Sequence, residues 1–435
     1  MLKQIKSERL SFVGRIHDSI RRVSSRVGLY DLPLQIYIMQ VVAFVLSFAR
    51  NMAFPYLAMY LTGNPAKGGL GIDASLVGLL IMVGGLAGTF ALLFTGSLCD
   101  KFGRRKMMLC FIIPQVILTA SYAYAKTYPE FFIIYTIGGI IGAFYDPAFN
   151  AMVIDLVHSE RREEIFGLSY MIMNVGTVVG PPVGGFIASR SGYPTVFIYA
   201  AVLTLIPTAI ILAWIKESHS RSLSSSVTLG QLVGIFKHKT FVLLCFLGAL
   251  TNVVYAQLYG LLSVYTGYRG FEPYFFGILF SVNGIMVVLF QIPIRKGAMR
   301  VGSTKAFVIA QAFYAVGFGY FMFSKSFIQF LTGVVILTIG EITYFPAVSG
   351  FISNLAPPDK RGRYMALSGL FFGIGGSAGS FIGFQLYGLL QNKEMIWGVL
   401  GAVAFATLPG YAYLSKIHRR TKLSENTDTI SRVDQ

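Results

Sequence analysis

The chain has 435 residues, 54% of them hydrophobic and only 13% charged, and its 36 Lys and Arg against 19 Asp and Glu leave a net charge of +17. A soluble domain carries about a quarter charged residues, so this composition excludes an ordinary soluble enzyme and implies a polytopic membrane protein. The basic excess does not imply nucleic acid: no basic patch with interleaved aromatics occurs, and the cations fall in short segments where anionic lipid is their partner.

A membrane span needs about 20 mainly apolar residues. Twelve such runs occur, near 36–61, 74–98, 106–125, 131–157, 165–188, 194–214, 240–265, 271–294, 305–323, 327–349, 364–389 and 395–414. Ahead of them, residues 1–33 hold Lys3, Lys6, Arg9, Arg15, Arg21, Arg22 and Arg26. They read as a basic cytoplasmic segment, either amphipathic on the membrane face or a disordered tail, rather than as a signal peptide. The first run carries Arg50, Tyr56 and Tyr60. The second closes on Gly96-Ser97-Leu98-Cys99-Asp100-Lys101-Phe102-Gly103-Arg104-Arg105. Such a density of charge cannot lie in hydrocarbon, so the turn sits at a membrane surface, and its glycines let two helices approach and reverse.

The order G-x-L-x-D-[RK]-x-G-R-R resembles the loop between the second and third spans of the major facilitator superfamily. That resemblance implies an all-α integral membrane fold, with twelve transmembrane helices in two pseudo-symmetric six-helix bundles. A substrate cavity between the bundles and alternating access by rocking come with it. In the family the turn acts as a latch. Carried onto this chain, Gly96, Asp100, Gly103, Arg104, Arg105 and Asp155 form it, with Asp100 capping the start of the eleventh helix and Arg104 pairing with Asp155.

The fourth run contains Asp146 and ends near Asp155. The fifth contains Gly176-x-x-x-Gly180-Pro181-Pro182-x-Gly184-Gly185, where small residues allow close helix contact and the prolines remove backbone donors. This stretch resembles the G-x-x-x-G-P-x-x-G-G motif of the superfamily's drug:proton antiporter branch. That branch usually carries an arginine early in the fourth span; none lies between Phe131 and Asp155, and Arg50 is the candidate substitute. A linker at 215–239, with a Ser-rich stretch, separates residues 34–214 from 240–414, and residues 415–435 form a C-terminal tail. The seventh run brings Tyr255 and Tyr259. The tenth reads Leu337-Thr338-Ile339-Gly340-Glu341-Ile342-Thr343-Tyr344-Phe345-Pro346, similar to the corresponding helix of bacterial lipophilic multidrug antiporters.

The halves repeat at a constant offset of 199 positions, which carries Pro147 to Pro346, Arg162 to Arg361 and Gly103 to Gly302. The same offset places Gly176, Gly180 and Gly184 on Gly375, Gly379 and Gly383, but it puts Met299 opposite Asp100 and Ser303-Thr304 opposite Arg104-Arg105. Only the first half therefore keeps the charged turn.

With both termini placed in the cytoplasm, only Lys67, Lys126, Arg190, Arg269, Lys325 and Lys393 face outward, Arg50 lies within a span, and every other Lys or Arg faces inward. This asymmetry predicts the orientation. The expected location is the plasma membrane and the expected state a monomer.

Arg50, Asp146 and Glu341 fall near the middle of predicted spans. Each costs at least a few kcal/mol at the bilayer centre unless it meets water or a partner, and the first, fourth and tenth spans line the central cavity in the family. One guanidinium can neutralise one carboxylate, so Arg50 and Asp146 are expected to pair, leaving Glu341 in a poorly hydrated place that disfavours its charged form. A carboxylate holding either a proton or a substrate cation couples two fluxes by competition. Tyr56, Tyr60, Tyr255, Tyr259 and Phe345 are candidate cavity-wall aromatics for cation–π contacts.

No G-x-x-x-x-G-K-[ST] phosphate loop and no nucleophile–base constellation occurs, so the chain is not expected to be an enzyme or to need a cofactor. Its three cysteines and five histidines have no disulfide or metal spacing. The expectation is a proton-coupled secondary transporter exporting hydrophobic or cationic compounds. The alternatives are a proton symporter for a peptide, sugar or organic anion, and a receptor or scaffold without flux.

Overall fold

The computed structural model describes residues 32–218, 234–357 and 360–418. The basic N-terminal segment, most of the Ser-rich linker and most of the C-terminal tail lie outside the described residues. Among the described residues the chain is helical throughout, without strands, and twelve rods follow one another. They are α1 (Leu34–Thr62), α2 (Ala74–Phe102), α3 (Arg104–Tyr124), α4 (Tyr128–Leu156), α5 (Ser159–Ser191) and α6 (Tyr193–Trp214), then α7 (Lys239–Tyr268), α8 (Pro273–Val301), α9 (Ser303–Phe321), α10 (Phe327–Leu355), α11 (Arg361–Leu389) and α12 (Met395–His418). A rod of 29 residues, such as α2, reaches about 43 Å, enough to cross a hydrocarbon core of about 30 Å with a tilt. Eleven rods are long and apolar enough to cross a membrane; in α9 the run is diluted by Ser303, Thr304, Lys305 and Gln311.

Local chemistry sets the ends. The Asp73 carboxylate accepts the Ser75 N–H at the start of α2, and a capping box of Thr127 and Glu130 opens α4. Ser326 and Gln329, 199 positions on, open α10 the same way. Gly103 and Gly302 sit at φ +96° and +91°, a conformation that costs a side chain and lets α2–α3 and α8–α9 reverse on a single residue. α1 is interrupted by a tight turn at Phe54–Tyr56, where Pro55 removes a donor. α4 breaks at Ala143 and Phe144 before restarting as Tyr145–Leu156.

Helices α1–α6 form one bundle and α7–α12 the other, with matching neighbours: α1 packs on α5 as α7 packs on α11, α2 on α4 as α8 on α10, and α3 on α6 as α9 on α12. Bare backbone makes the tightest of these contacts. A Cβ at Gly176 would meet Ser47 and Phe48 of α1, and one at Gly180 would meet Phe48 and Met52; Gly375 and Gly379 lie against Ala249 and Val253 of α7 in the same manner. In the second bundle, Gln311 of α9 donates to Thr251 of α7 at 2.9 Å, and the Thr251, Tyr411 and Tyr344 hydroxyls continue the chain at 2.9 Å per link. Four helices are thereby tied behind the site by neutral hydrogen bonds.

Two long crossings join the bundles, α2 on α11 and α5 on α8, and the last turns of α1 meet those of α7. Gly78 lies against Phe381 and Phe384, and Gly85 against Ser377. Their repeat counterparts Gly277 and Gly284 lie against Pro181 and Val178. All of these contacts fall toward the end of the molecule that carries residues 63–73 and 269–272, here called the far end. Residues three helical turns along the same faces, eleven positions on, behave differently. A Cβ at Gly96 of α2, Gly167 of α5 or Gly362 of α11 would meet nothing within 4 Å. The seam is shut at the far end and spread at the end bearing residues 215–218.

Candidate functional site

Glu341 stands near the middle of α10. Its Oε2 accepts a hydrogen bond of 2.7 Å from the Asn283 Nδ2 of α8, which also donates to Thr338 Oγ1 at 3.0 Å. The Thr338 hydroxyl proton is already committed to the Val334 carbonyl at 2.7 Å, so that oxygen can only accept. The amide of Asn283 must therefore present its NH2 group, and its second N–H is aimed at the carboxylate. Tyr255 and Tyr259 lie one turn apart on α7 with hydroxyls 2.6 Å from each other, and Tyr314 of α9 closes the side opposite solvent, 1% exposed. The Tyr255 ring meets Phe345 edge-on at 5.2 Å and the Tyr259 ring meets Phe280 at 4.9 Å. Among the described residues, no cation forms an ion pair with Glu341. The arrangement is a carboxylate held as a hydrogen-bond acceptor among phenols, with Tyr259 39% exposed at its edge.

The expected pairing of Arg50 with Asp146 is not found. Both residues are exposed, and no ion pair joins them. The helix interruptions supply the reason. Arg50 occupies the last turn of the segment Leu34–Ala53 and Asp146 the first turn of Tyr145–Leu156, so each sits at the helix end its own sign favours. Arg50 lies close enough to Tyr135 of α4 for its charge to be felt there.

The candidate aromatics divide. Tyr255, Tyr259 and Phe345 gather beside Glu341. Tyr60 does not line a cavity: it is 4% exposed and packs against Phe131 and Phe197 inside the first bundle. Nor does Tyr56, which is fully buried; its hydroxyl donates to the Pro181 carbonyl, and Cβ atoms built at Gly185 of α5 and Gly277 of α8 would both strike it.

The glycine–proline motif of α5 thus faces two ways. Gly176, Gly180 and Gly184 receive α1, whereas Pro181 and Gly185 touch α8 of the other bundle. Pro182 has no N–H to offer the Val178 carbonyl four residues earlier, and the Ser281 hydroxyl of α8 donates to that carbonyl across the seam.

In the charged turn, Arg104 is 5% exposed and its Nε lies 3.0 Å from Asp155 Oδ2, with a second contact of 3.2 Å to Asp100 Oδ1. The Arg105 guanidinium donates to the Leu212 carbonyl at 2.8 Å near the end of α6. The expected cap of α11 by Asp100 is not seen among the described contacts: the seam is spread at this end, Lys360 before α11 gives no side-chain cap, and Asp100 meets Arg104 of its own bundle. Glu217, a linker residue that the sequence does not single out, accepts the Arg104 N–H at 2.7 Å and the Arg105 N–H at 3.3 Å, filling the positive start of α3. Ser218 donates to Asp155 at 3.0 Å, fastening the start of the linker to the turn. Asn283 and Ser281 were missed too. Each is one small polar residue in an apolar run, and its meaning depends on a partner supplied by another helix. Among the described residues, no cluster of His, Cys, Asp and Glu could hold a metal ion.

The chain matches the family described as Major Facilitator Superfamily over residues 40–380 and again over 270–431. It is 24% identical over 406 residues to a Na(+), Li(+), K(+)/H(+) antiporter of Planococcus maritimus, covering 84% of this chain and 92% of the relative. It is 23% identical over 394 residues to the quinolone resistance protein NorA of Staphylococcus aureus strain MSSA476, covering 90% and 98%. Among solved structures, a peptide transporter POT in complex with sulfate superposes with a TM-score of 0.75 at 17% identity, covering 90% of this chain and 96% of that one. The nucleoside transporter NupG superposes at 0.74 with 14% identity, covering 88% and 99%. The superposed structures share the helical fold over most of this chain, and the family match extends over most of its length: the chain is a member of the Major Facilitator Superfamily.

Proposed function

We propose that the chain is a proton-coupled exporter of hydrophobic, cationic compounds, working by alternating access in the plasma membrane as a monomer with both termini cytoplasmic. The observation that carries this reading is Glu341, an acceptor carboxylate at mid-helix that forms no ion pair with a cation among the described residues. A lone carboxylate in a poorly hydrated site is stabilised by whatever brings it a positive charge, whether a proton or a cationic cargo. Because one site cannot hold both, loading one displaces the other, and inward proton flow drives outward cargo flow. The rings of Tyr255, Tyr259 and Phe345 offer faces to a flat cation beside that charge. With the termini inside, the spread end of the seam opens to the cytoplasm, the side from which an exporter loads. The likeness to NorA supports this direction.

A second reading is exchange of a small inorganic cation. It is supported by the likeness to the alkali-cation antiporter and by the oxygens of Glu341, Thr338, Tyr255 and Tyr259 that gather in one place.

The test uses everted vesicles under an imposed pH gradient, with a fluorescent organic cation as cargo and, in parallel, sodium. Proton-driven accumulation of the organic cation that Glu341→Gln abolishes is the expected result. Undiminished coupling in Glu341→Gln overturns the reading, and a response to sodium alone selects the second one.

A further inference from the structure

Ser281 and Asn283 are two residues apart on α8, which places them about 200° apart around the helix. Ser281, 9% exposed, reaches across the seam to the Val178 carbonyl of α5 in the first bundle. Asn283, 4% exposed, reaches the other way to Glu341 and Thr338 of α10 in its own bundle. Between and beside them Gly284 presses on Val178. One short stretch of α8 therefore grips both the exchanging carboxylate and the shut end of the seam.

We infer that this stretch is the lock that keeps the empty transporter from reorienting, with Asn283 as the positioning residue that reads the charge of Glu341 and Ser281 as the bolt across the seam. The inference rests on Glu341 being the exchanging group. The bond from Asn283 is charge-assisted while Glu341 is ionised, and such bonds are roughly twice as strong as neutral ones. It holds α8 against α10 in the position from which Ser281 meets Val178. The Val178 carbonyl is available to Ser281 because Pro182 leaves it without its usual helical donor. When a proton or a cationic cargo neutralises Glu341, the hold on Asn283 weakens, α8 is released from α10, and the seam is free to part at the far end. Exchange demands this logic: the loaded carrier must cross in either direction and the empty, charged carrier must not.

The titratable groups facing Glu341 are Tyr255 and Tyr259 of α7 and Tyr314 of α9, with Tyr170 of α5 beyond Tyr259. Free phenols titrate near 10, so these tyrosines keep the same charge at both pH values of the experiment below.

The experiment measures seam opening rather than flux. Spin labels are placed at Lys126→Cys and Lys325→Cys, two exposed, repeat-related positions at the far end, in a background with Cys110, the exposed native cysteine, replaced by Ser. Distances are read by pulsed spin resonance in nanodiscs at neutral and acidic pH without cargo. The native protein is expected to be closed at neutral pH and to shift to longer distances in acid. Asn283→Leu and Ser281→Ala are each expected to show the long distance at both pH values, and Ser281→Thr, which keeps the hydroxyl, to behave as the native protein. Glu341→Gln is expected to be open at both. A pH response lost in Glu341→Gln but retained in Asn283→Leu and Ser281→Ala overturns the lock and leaves Glu341 as the exchanging group. A response that survives Glu341→Gln removes Glu341 itself from that role.

Discussion

The two bundles share one backbone plan and use it differently. Tyr56 and Tyr255 occupy equivalent places, yet the first is sealed at the seam with its hydroxyl on Pro181, while the second stands beside a carboxylate. Gly142 and Glu341 are likewise equivalent; a Cβ at Gly142 would touch nothing within 4 Å. The charged turn survives only in the first bundle, where Arg104 joins Asp155; in the second, the neutral Ser415 and Thr304 hydroxyls meet at 3.0 Å. Caps, reversals and packing glycines persist in both because the fold needs them twice. Charge and chemistry diverge: the Glu341 carboxylate and the Arg104–Asp155 pair each occur in one bundle only.

The largest expected contrast lies at the equivalent pair Gly142 and Glu341. Glu341→Gln should abolish proton-driven accumulation in everted vesicles, whereas Gly142→Ala should transport normally and change stability by no more than about 0.5 kcal/mol. A comparable loss from both would erase the functional asymmetry of the bundles. Next comes the turn. Arg104→Ala leaves Asp155 without its buried partner and should cost about 3 kcal/mol, read as a lowered unfolding temperature in detergent. Ser303→Ala, at the matching place, should stay within about 0.5 kcal/mol. Equal costs there would mean that the turn's charges do not hold the first bundle together.

A smaller contrast concerns Gly184 and Gly383. A Cβ at Gly184 meets the backbone of Met52, while one at Gly383 meets the end of the Gln257 side chain. Overpacking of this kind costs about 1–3 kcal/mol, and Gly184→Ala should fall at the upper end of that range and Gly383→Ala at the lower, measured by the same thermal assay. The smallest effect is expected from two hydroxyls. Tyr56→Phe should lower stability by about 1 kcal/mol and leave the dependence of transport on pH unchanged, and Tyr255→Phe should do the reverse. Should Tyr56→Phe displace the pH profile, the division of labour between the equivalent tyrosines is wrong.

Much of this architecture is legible from the chain itself, for physical reasons. Apolar runs of sufficient length declare the helices, and the Asp100–Arg105 charges declare a surface turn. The offset carrying Thr127 and Glu130 onto Ser326 and Gln329 declares two copies of one plan. What escapes is whatever two distant helices make together. Asn283 has no meaning until α10 lies beside α8, and Ser281 none until the bundles meet. Arg50 and Asp146 read as a pair because opposite charges in hydrocarbon seek each other, and Pro55 alone does not reveal that its turn puts Arg50 at a helix end. The expected contact of Asp100 with α11 needs the two helices close together, and the seam is spread at that end.

The glycine face of α2 has one more implication. Backbone is bare at Gly96 as it is at Gly78 and Gly85, and α11 is bare at Gly362 as at Gly373. The close fit made near one membrane surface therefore has a ready twin, unused, near the other. Trading one for the other exchanges like packing for like, so the two poses differ little in free energy. A few kcal/mol from one bound ion then suffices to tip the balance.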